Sequence, residues 1–218
     1  MDLDWYNERA MNPEQFVQRL GEAKASAILR CPSAETAAPA MEAAIRGGFR
    51  IVEFTLTIPG ALERVKEFAG RPDLIVGAGT VLTVEEARAS VERGARFLVS
   101  PVMDPLVIAA ARSLGVAMIP GCHTPTEMLS AYRAGAPLQK LFPAPGTGPA
   151  FVRACLAPMP FLRIVPTNGL DAGNAKAWLD AGAFALGFNH ALFVPEELAA
   201  GSFDRVEERA RALLAALR

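Results

Sequence analysis

The 218-residue chain has little cysteine and histidine, three of the first and two of the second. Cys31, Cys122 and Cys155 are too few to pair completely, and their spacing matches no zinc pattern, so they read as small buried thiols rather than a disulfide framework or metal centre. Excess charge is missing too: 22 Lys and Arg stand against 23 Asp and Glu, a formal net charge of -1. Such a balance gives no electrostatic reason to expect nucleic acid or an anionic membrane as partner, which leaves small ligands. No apolar run approaches the roughly 20 residues of a membrane span. The first residues, with Asp2, Asp4 and Glu8, lack the basic and apolar regions of a signal peptide, and the expectation is a cytoplasmic protein. With 51% hydrophobic residues the chain can build one sizeable core, which argues against disorder.

What the chain does have is alternation. Short apolar runs return every ~20 to 25 residues, at 27–30, 51–55, 74–78, 97–100, 116–120, 138–142, 162–166 and 184–188. Helix-sized segments lie between them, with starting signals at Ser33, Pro59, Thr83, Thr124 and Asp171. Several end in glycines suited to a left-handed turn: Gly47-Gly48, Gly94, Gly115, Gly135 and Gly182. Ahead of the first strand, Asn12 caps a helix with Pro13 in its first turn and Phe16, Val17 and Leu20 on one face, and Gly21 is expected to stop it. At the other end, Val206, Ala210, Leu213, Leu214 and Leu217 mark the eighth helix of the repeat. The even period, with no segment resembling an antiparallel edge, predicts an α/β protein: a (β/α)8 TIM barrel with an extra N-terminal helix, rather than an open doubly wound sheet. The expected organisation is a lead-in and helix over 1–24 packed on a single barrel domain over 25–218.

Ligands of such a barrel meet the C-terminal ends of the strands, so inward polar residues there are the informative ones. Lys140 shares a strand face with Leu138 and Phe142. An ordinary lysine is neutral in roughly one molecule in a few thousand at pH 7, whereas a desolvated one can attack a carbonyl. By the same parity Arg30 shares a face with Ser26 and Ile28, and Glu53 with Ile51 and Thr55. A lysine that forms an iminium with a 2-oxo acid, a glutamate that moves protons and an arginine that grips a carboxylate would together suit carbon–carbon bond cleavage. The alternative is structural: Lys140 snorkels from the strand end, or the three charges neutralise one another. His123 and His190, both in loops, are expected at the rim rather than in catalysis.

The residues that carry a resemblance are Ile28-Leu29-Arg30, Gly47-Gly48, Val52-Glu53-Phe54-Thr55, Gly77-Ala78-Gly79-Thr80-Val81, Ser100-Pro101, Ile119-Pro120-Gly121, Thr124-Pro125-Thr126-Glu127, Lys140-Leu141-Phe142-Pro143 and Pro166-Thr167. In this order and spacing, from about Ala25 to Leu217, the chain resembles the class I 2-keto-3-deoxy-6-phosphogluconate (KDPG) and 4-hydroxy-2-oxoglutarate (KHG) aldolases. The resemblance implies that Lys140 is the Schiff-base lysine, Glu53 the proton shuttle and Arg30 the carboxylate clamp, with Thr80 and Pro101 lining a pyruvate site. It further implies a homotrimer of barrels, no cofactor and no metal, acting reversibly on a 2-oxo acid to give pyruvate and an aldehyde. The loops after the seventh and eighth strands, with Thr167, Asn168, Gly169, Gly187 and Asn189, are the expected binding residues for the rest of the substrate. They read Pro166-Thr167-Asn168-Gly169 and Gly187-Phe188-Asn189-His190 where many members carry Pro-Thr-Gly-Gly and Gly-Gly-Ser. Asn168 and Phe188 add side chains where a phosphate needs close backbone approach, and neither loop carries a lysine or arginine. Asn168, Asn189 and His190 could instead bond a carboxylate or hydroxyl terminus. A barrel that only binds a small ligand is the competing reading, since fold does not fix function. A phosphate-binding isomerase would need a better phosphate loop and a carboxylate pair.

Overall fold

The computed structural model describes residues 11–218, so Asp2, Asp4, Glu8 and most of the expected lead-in lie outside the described residues. After helix α1 (Pro13–Ala23), strand and helix alternate through β1 (Ala25–Leu29), α2 (Ala34–Arg46), β2 (Ile51–Thr55), α3 (Ala61–Ala69), β3 (Ile75–Gly79), α4 (Val84–Glu92) and β4 (Phe97–Val99). They continue through α5 (Pro105–Ser113), β5 (Ala117–Ile119), β6 (Gly121–Cys122), α6 (Pro125–Arg133), β7 (Gln139–Leu141), α7 (Pro149–Leu156), β8 (Ile164–Pro166), α8 (Ala175–Asp180), β9 (Leu186–Phe188), α9 (Pro195–Ala199) and α10 (Phe203–Ala215). Side-chain caps set many of the helix starts. Asn12, Thr83 and Thr124 build reciprocal capping boxes with Gln15, Glu86 and Glu127, and Ser33 accepts the Glu35 and Thr36 N–H groups. Among the described residues no helix is long and apolar enough to cross a membrane.

Every recorded strand pairing is parallel. One sheet has the order β5-β4-β3-β2-β1-β9 and another the order β6-β7-β8. The two approach at both margins. Pro120 alone separates β5 from β6, and its carbonyl accepts the Lys140 N–H at 2.9 Å. On the other side Thr167 bridges Gly187, and the Phe184 N–H donates to the Ile164 carbonyl at 2.8 Å. The architecture is a curled parallel α/β sheet. The expected fifth strand over 116–120 continues past its end but divides at Pro120, whose missing N–H cannot join a ladder.

Period-two alternation sorts the sheet into two apolar layers. Leu29, Val52, Phe54, Val76, Leu98 and Leu141 face the helices. Ile51, Phe97, Val99, Ile119, Leu138 and Val165 form an inner cluster, completed by Phe16, Val17 and Leu20 of α1. Ile51 and Phe97 start their strands and Leu138 immediately precedes β7, and α1 packs against this end of the sheet, where the Phe16 ring stacks on Phe97 with centroids 4.5 Å apart. Gly21 does not stop α1, which runs on to Ala23 and ends at Lys24 with φ 59°. A side chain at position 21 would bring its Cβ within 2.9 Å of the Phe184 ring, so glycine serves close packing there. Of Gly47-Gly48, only Gly48 takes a positive φ, and Gly94, Gly115, Gly135 and Gly182 do so as expected.

Phe16 is fully buried. Phe16→Ala is expected to lower unfolding stability by about 3–5 kcal/mol in urea titration, the cost of an aromatic-sized cavity; a loss below about 1 kcal/mol would show that α1 does not seal the inner layer.

Candidate active site

Glu53 reaches the inner face of β2 because Val52 and Phe54, its neighbours, point into the helix layer. The register sets Glu53 beside Gly77 and Thr55 beside Gly79 on β3. A Cβ on Gly79 would overlap Glu53 Oε1, so the absence of a side chain at position 79 makes room for the carboxylate. Glu53 is 1% exposed, and its Oε1 has no hydrogen-bond partner among the described residues. Lys140 sits in the middle of β7, paired with Gly121 on one side and Val165 on the other. It is 7% exposed and forms no hydrogen bond or ion pair with a described residue; the Phe142 ring centroid lies 4.8 Å from Nζ. Arg30 follows β1 and donates from its guanidinium to Thr80 Oγ1 at 3.2 Å, where Thr80 turns with φ 61°.

Desolvation dominates the titration of both inner groups. It holds the Lys140 amine below the usual lysine range; nearby Arg30 pushes in the same direction and Glu53 opposes it. Desolvation also raises the Glu53 carboxyl, with the charges of Lys140 and Arg30 opposing. Each group therefore shifts toward its neutral form, and the amine becomes a nucleophile at lower pH than an exposed lysine would. Arg30, Glu53 and Lys140 line a cleft of about 80 Å³, together with Ile28, Thr55 and Phe142. Thr167, Asn168, Asn189 and His190, from the loops after β8 and β9, complete its lining. Two larger clefts, of about 320 and 210 Å³, share Met11, Ala69 and Arg96 at the opposite end of the sheet and include none of these inward groups. Among the described residues no cluster of three His, Cys, Asp or Glu is placed to hold a metal ion.

The sequence model of the family described as "KDPG and KHG aldolase" matches residues 17–209. The chain is 37% identical to the 2-dehydro-3-deoxy-phosphogluconate aldolase of Treponema pallidum over 79% of its own length and 83% of that protein. It is 33% identical to the KHG/KDPG aldolase of Escherichia coli K12, over 81% of this chain and 84% of the relative. The chain belongs to the KDPG and KHG aldolase family. Its fold is shared by the KDPG aldolase of Legionella pneumophila, solved with pyruvate captured as a covalent carbinolamine, at TM-score 0.83 and 24% identity over 93% of this chain and 98% of that one. Membership makes this aldolase a lyase.

The aldolase brings Arg30, Glu53, Lys140, Thr167, Asn168 and Asn189 to one cleft. Thr80 joins them through Arg30. Pro101 does not line the cleft; its carbonyl packs against Gly121 behind Lys140. Gly169 is exposed beside the cleft, and Gly187 is buried against Thr167 and Ile28. His123 stays at the rim: its Nδ1 lies 3.1 Å from the Pro143 carbonyl, and its N–H donates to Glu127. That bond and those from Thr124 hold the Glu127 carboxyl below its usual range. His190 is exposed and lines the cleft at its edge. Sequence parity also placed Ile28, Thr55 and Phe142 on the inner face, but their side chains carry no charge to single them out.

The opposed influences of Glu53 and Arg30 on Lys140 give a test with a definite sign. When labelling of Lys140 by a small acylating reagent is followed against pH by peptide mass spectrometry, Glu53→Gln should move the midpoint down and Arg30→Met should move it up. Shifts in the same direction would show that these charges do not act on the amine.

Proposed function

We propose that this chain is a class I aldolase that reversibly splits a 4-hydroxy-2-oxo acid into pyruvate and an aldehyde. The observation that carries the reading is a buried lysine amine with no hydrogen-bond or ion-pair partner among the described residues, sharing a cleft with a buried glutamate whose Oε1 is likewise unpartnered among them. Structural ions are satisfied by their neighbours, whereas groups held without partners are available to a ligand. Family membership supports the same chemistry.

In this reading the neutral Lys140 amine adds to the C2 carbonyl, and Glu53 protonates the resulting carbinolamine oxygen so that it leaves as water. The iminium that remains withdraws electrons from C3. Glu53, now a carboxylate, takes the proton of the C4 hydroxyl; the C3–C4 bond breaks, its electron pair forms the enamine, and the aldehyde departs. Protonation of C3 and addition of water then release pyruvate and restore the amine. Arg30, fixed by its bond to Thr80, is the group suited to holding the C1 carboxylate. Without Glu53 the loss should be on the order of 10²–10⁴ in kcat, the usual worth of acid–base help.

Two coarser features fit this reading. The margins at Pro120 and at Thr167–Gly187 support closure of the curled sheet into a (β/α)8 barrel over 25–218, with α1 as its N-terminal addition. Leu82, Val102 and Leu106, which follow the neighbouring strands β3 and β4, are 46%, 49% and 70% exposed, an apolar patch that supports the homotrimer implied by resemblance.

Borohydride reduction in the presence of pyruvate should leave a stable adduct on Lys140, located by peptide mass spectrometry, and none on Lys140→Met; an adduct elsewhere, or an active Lys140→Met, sinks the mechanism. In sedimentation equilibrium the protein should behave as a trimer and Leu106→Glu as a smaller species. A monomeric parent chain would remove the trimer from this reading.

A further inference from the structure

We infer that the distal half of the cleft is built for an aldehyde fragment that is neutral and hydroxylated, so that the preferred substrate is an unphosphorylated 3-deoxy-2-oxo sugar acid. This deepens the aldolase reading and rests on it. The cleft divides its chemistry by strand. Its two cations, Arg30 and Lys140, come from the end of β1 and from β7, whereas the loops after β8 and β9, which lie between those strands, carry neither lysine nor arginine. These loops present two amides and an imidazole, from Asn168, Asn189 and His190, together with the Thr167 hydroxyl. A phosphate dianion seated on them would give up hydration with no cation in either loop to offset it.

Backbone geometry explains how the amides come to be there. After β8, Asn168 and Gly169 both turn with positive φ, 72° and 80°. Glycine takes this conformation most easily; asparagine is one of the few side-chain-bearing residues that tolerates it, and it brings an amide into the cleft. Among the described residues the Asn168, Asn189 and His190 side chains form no hydrogen bonds, which leaves their donors and acceptors for a ligand. Each amide offers both a donor and an acceptor, which is what a row of hydroxyls requires and what an anion, an acceptor only, cannot use fully.

Farther along the loop after β8, the backbone N–H groups at the entrance to α8 are engaged. Asp171 Oδ1 accepts from Gly173 N–H at 2.8 Å and Asn174 N–H at 3.0 Å, at the entrance to α8. Asn174 in turn bonds the Asp171 N–H and the Gly169 carbonyl, both at 3.0 Å. The loop is thus closed on itself around a carboxylate, whose charge repels a second anion.

The test measures kcat/KM for cleavage of 2-keto-3-deoxygluconate, its 6-phosphate and 4-hydroxy-2-oxoglutarate by the full-length protein, beside borohydride trapping of pyruvate. The unphosphorylated sugar acid, whose aldehyde fragment is uncharged, should exceed each of the other two by about tenfold or more. Asn168→Gly, which keeps the left-handed turn, should narrow that ratio chiefly through KM of the unphosphorylated sugar acid, and Asn189→Arg should invert it toward the phosphate. Pyruvate trapped on Lys140 together with preference for the 6-phosphate or for 4-hydroxy-2-oxoglutarate would overturn this inference and leave the aldolase reading intact. Absence of trapping would overturn both.

Discussion

An amine withdrawn from water with no ion pair among the described residues is the constraint from which the rest of this structure follows. A lysine in the middle of a strand costs stability in its charged form, because hydration is lost and no hydrogen bond from a described residue replaces it. The surroundings set how far that cost is offset. Gly121 beside Lys140 contributes no side chain, Val165 is apolar, and Phe142 offers only the face of a ring. Glu53 is close enough to influence the amine without forming an ion pair with it. A tighter pair would favour both charged forms and leave the amine less nucleophilic.

Support for that arrangement comes from apolar packing on either side of the sheet. The outer layer, with Leu29, Phe54 and Leu141, fixes the strands against their helices and so decides which residues turn inward. The inner layer beneath the charged groups, with Phe97, Leu138 and Val165, prevents them from sinking or tilting. Glycines then set local clearances. Position 79 is the sharpest case, since even a methyl group there would take the space of the Glu53 carboxylate. This is a site held by exclusion as much as by bonds, with few hydrogen bonds among its charged groups apart from that of Arg30 to Thr80.

Much of this was legible in the chain because parallel strands and capped helices leave strong local marks. Thr83 and Thr124 announce their helices through side chains that satisfy the first N–H groups, and the inward parity of Arg30, Glu53 and Lys140 follows from alternation alone. Other features depend on contacts between distant parts of the chain. Nothing local distinguishes a glycine that ends a helix from one that admits a neighbour, and at Gly21 it is the distant Phe184 ring that decides between them. Asn189 and His190 follow from the family's loop pattern and do line the cleft, but the turn that follows them, with the Leu192 and Phe193 N–H groups bonded to the Asn189 carbonyl, is a geometry no period encodes. The division of the fifth strand at Pro120 was visible as a residue, but its effect on hydrogen bonding emerged only with the neighbouring strand in place.

The helix laid across the N-terminal end has a consequence for traffic. With Phe16 and Leu20 packed into the inner layer toward the starts of the strands, the cleft lies at the other end, among the strand ends and the loops that follow them. In the proposed reaction the water expelled as the iminium forms, the departing aldehyde and the water that frees the pyruvate would all travel through that lining. Under that reading Asn168, Asn189 and His190 would bear on passage as well as on binding, and a substitution among them would register in both.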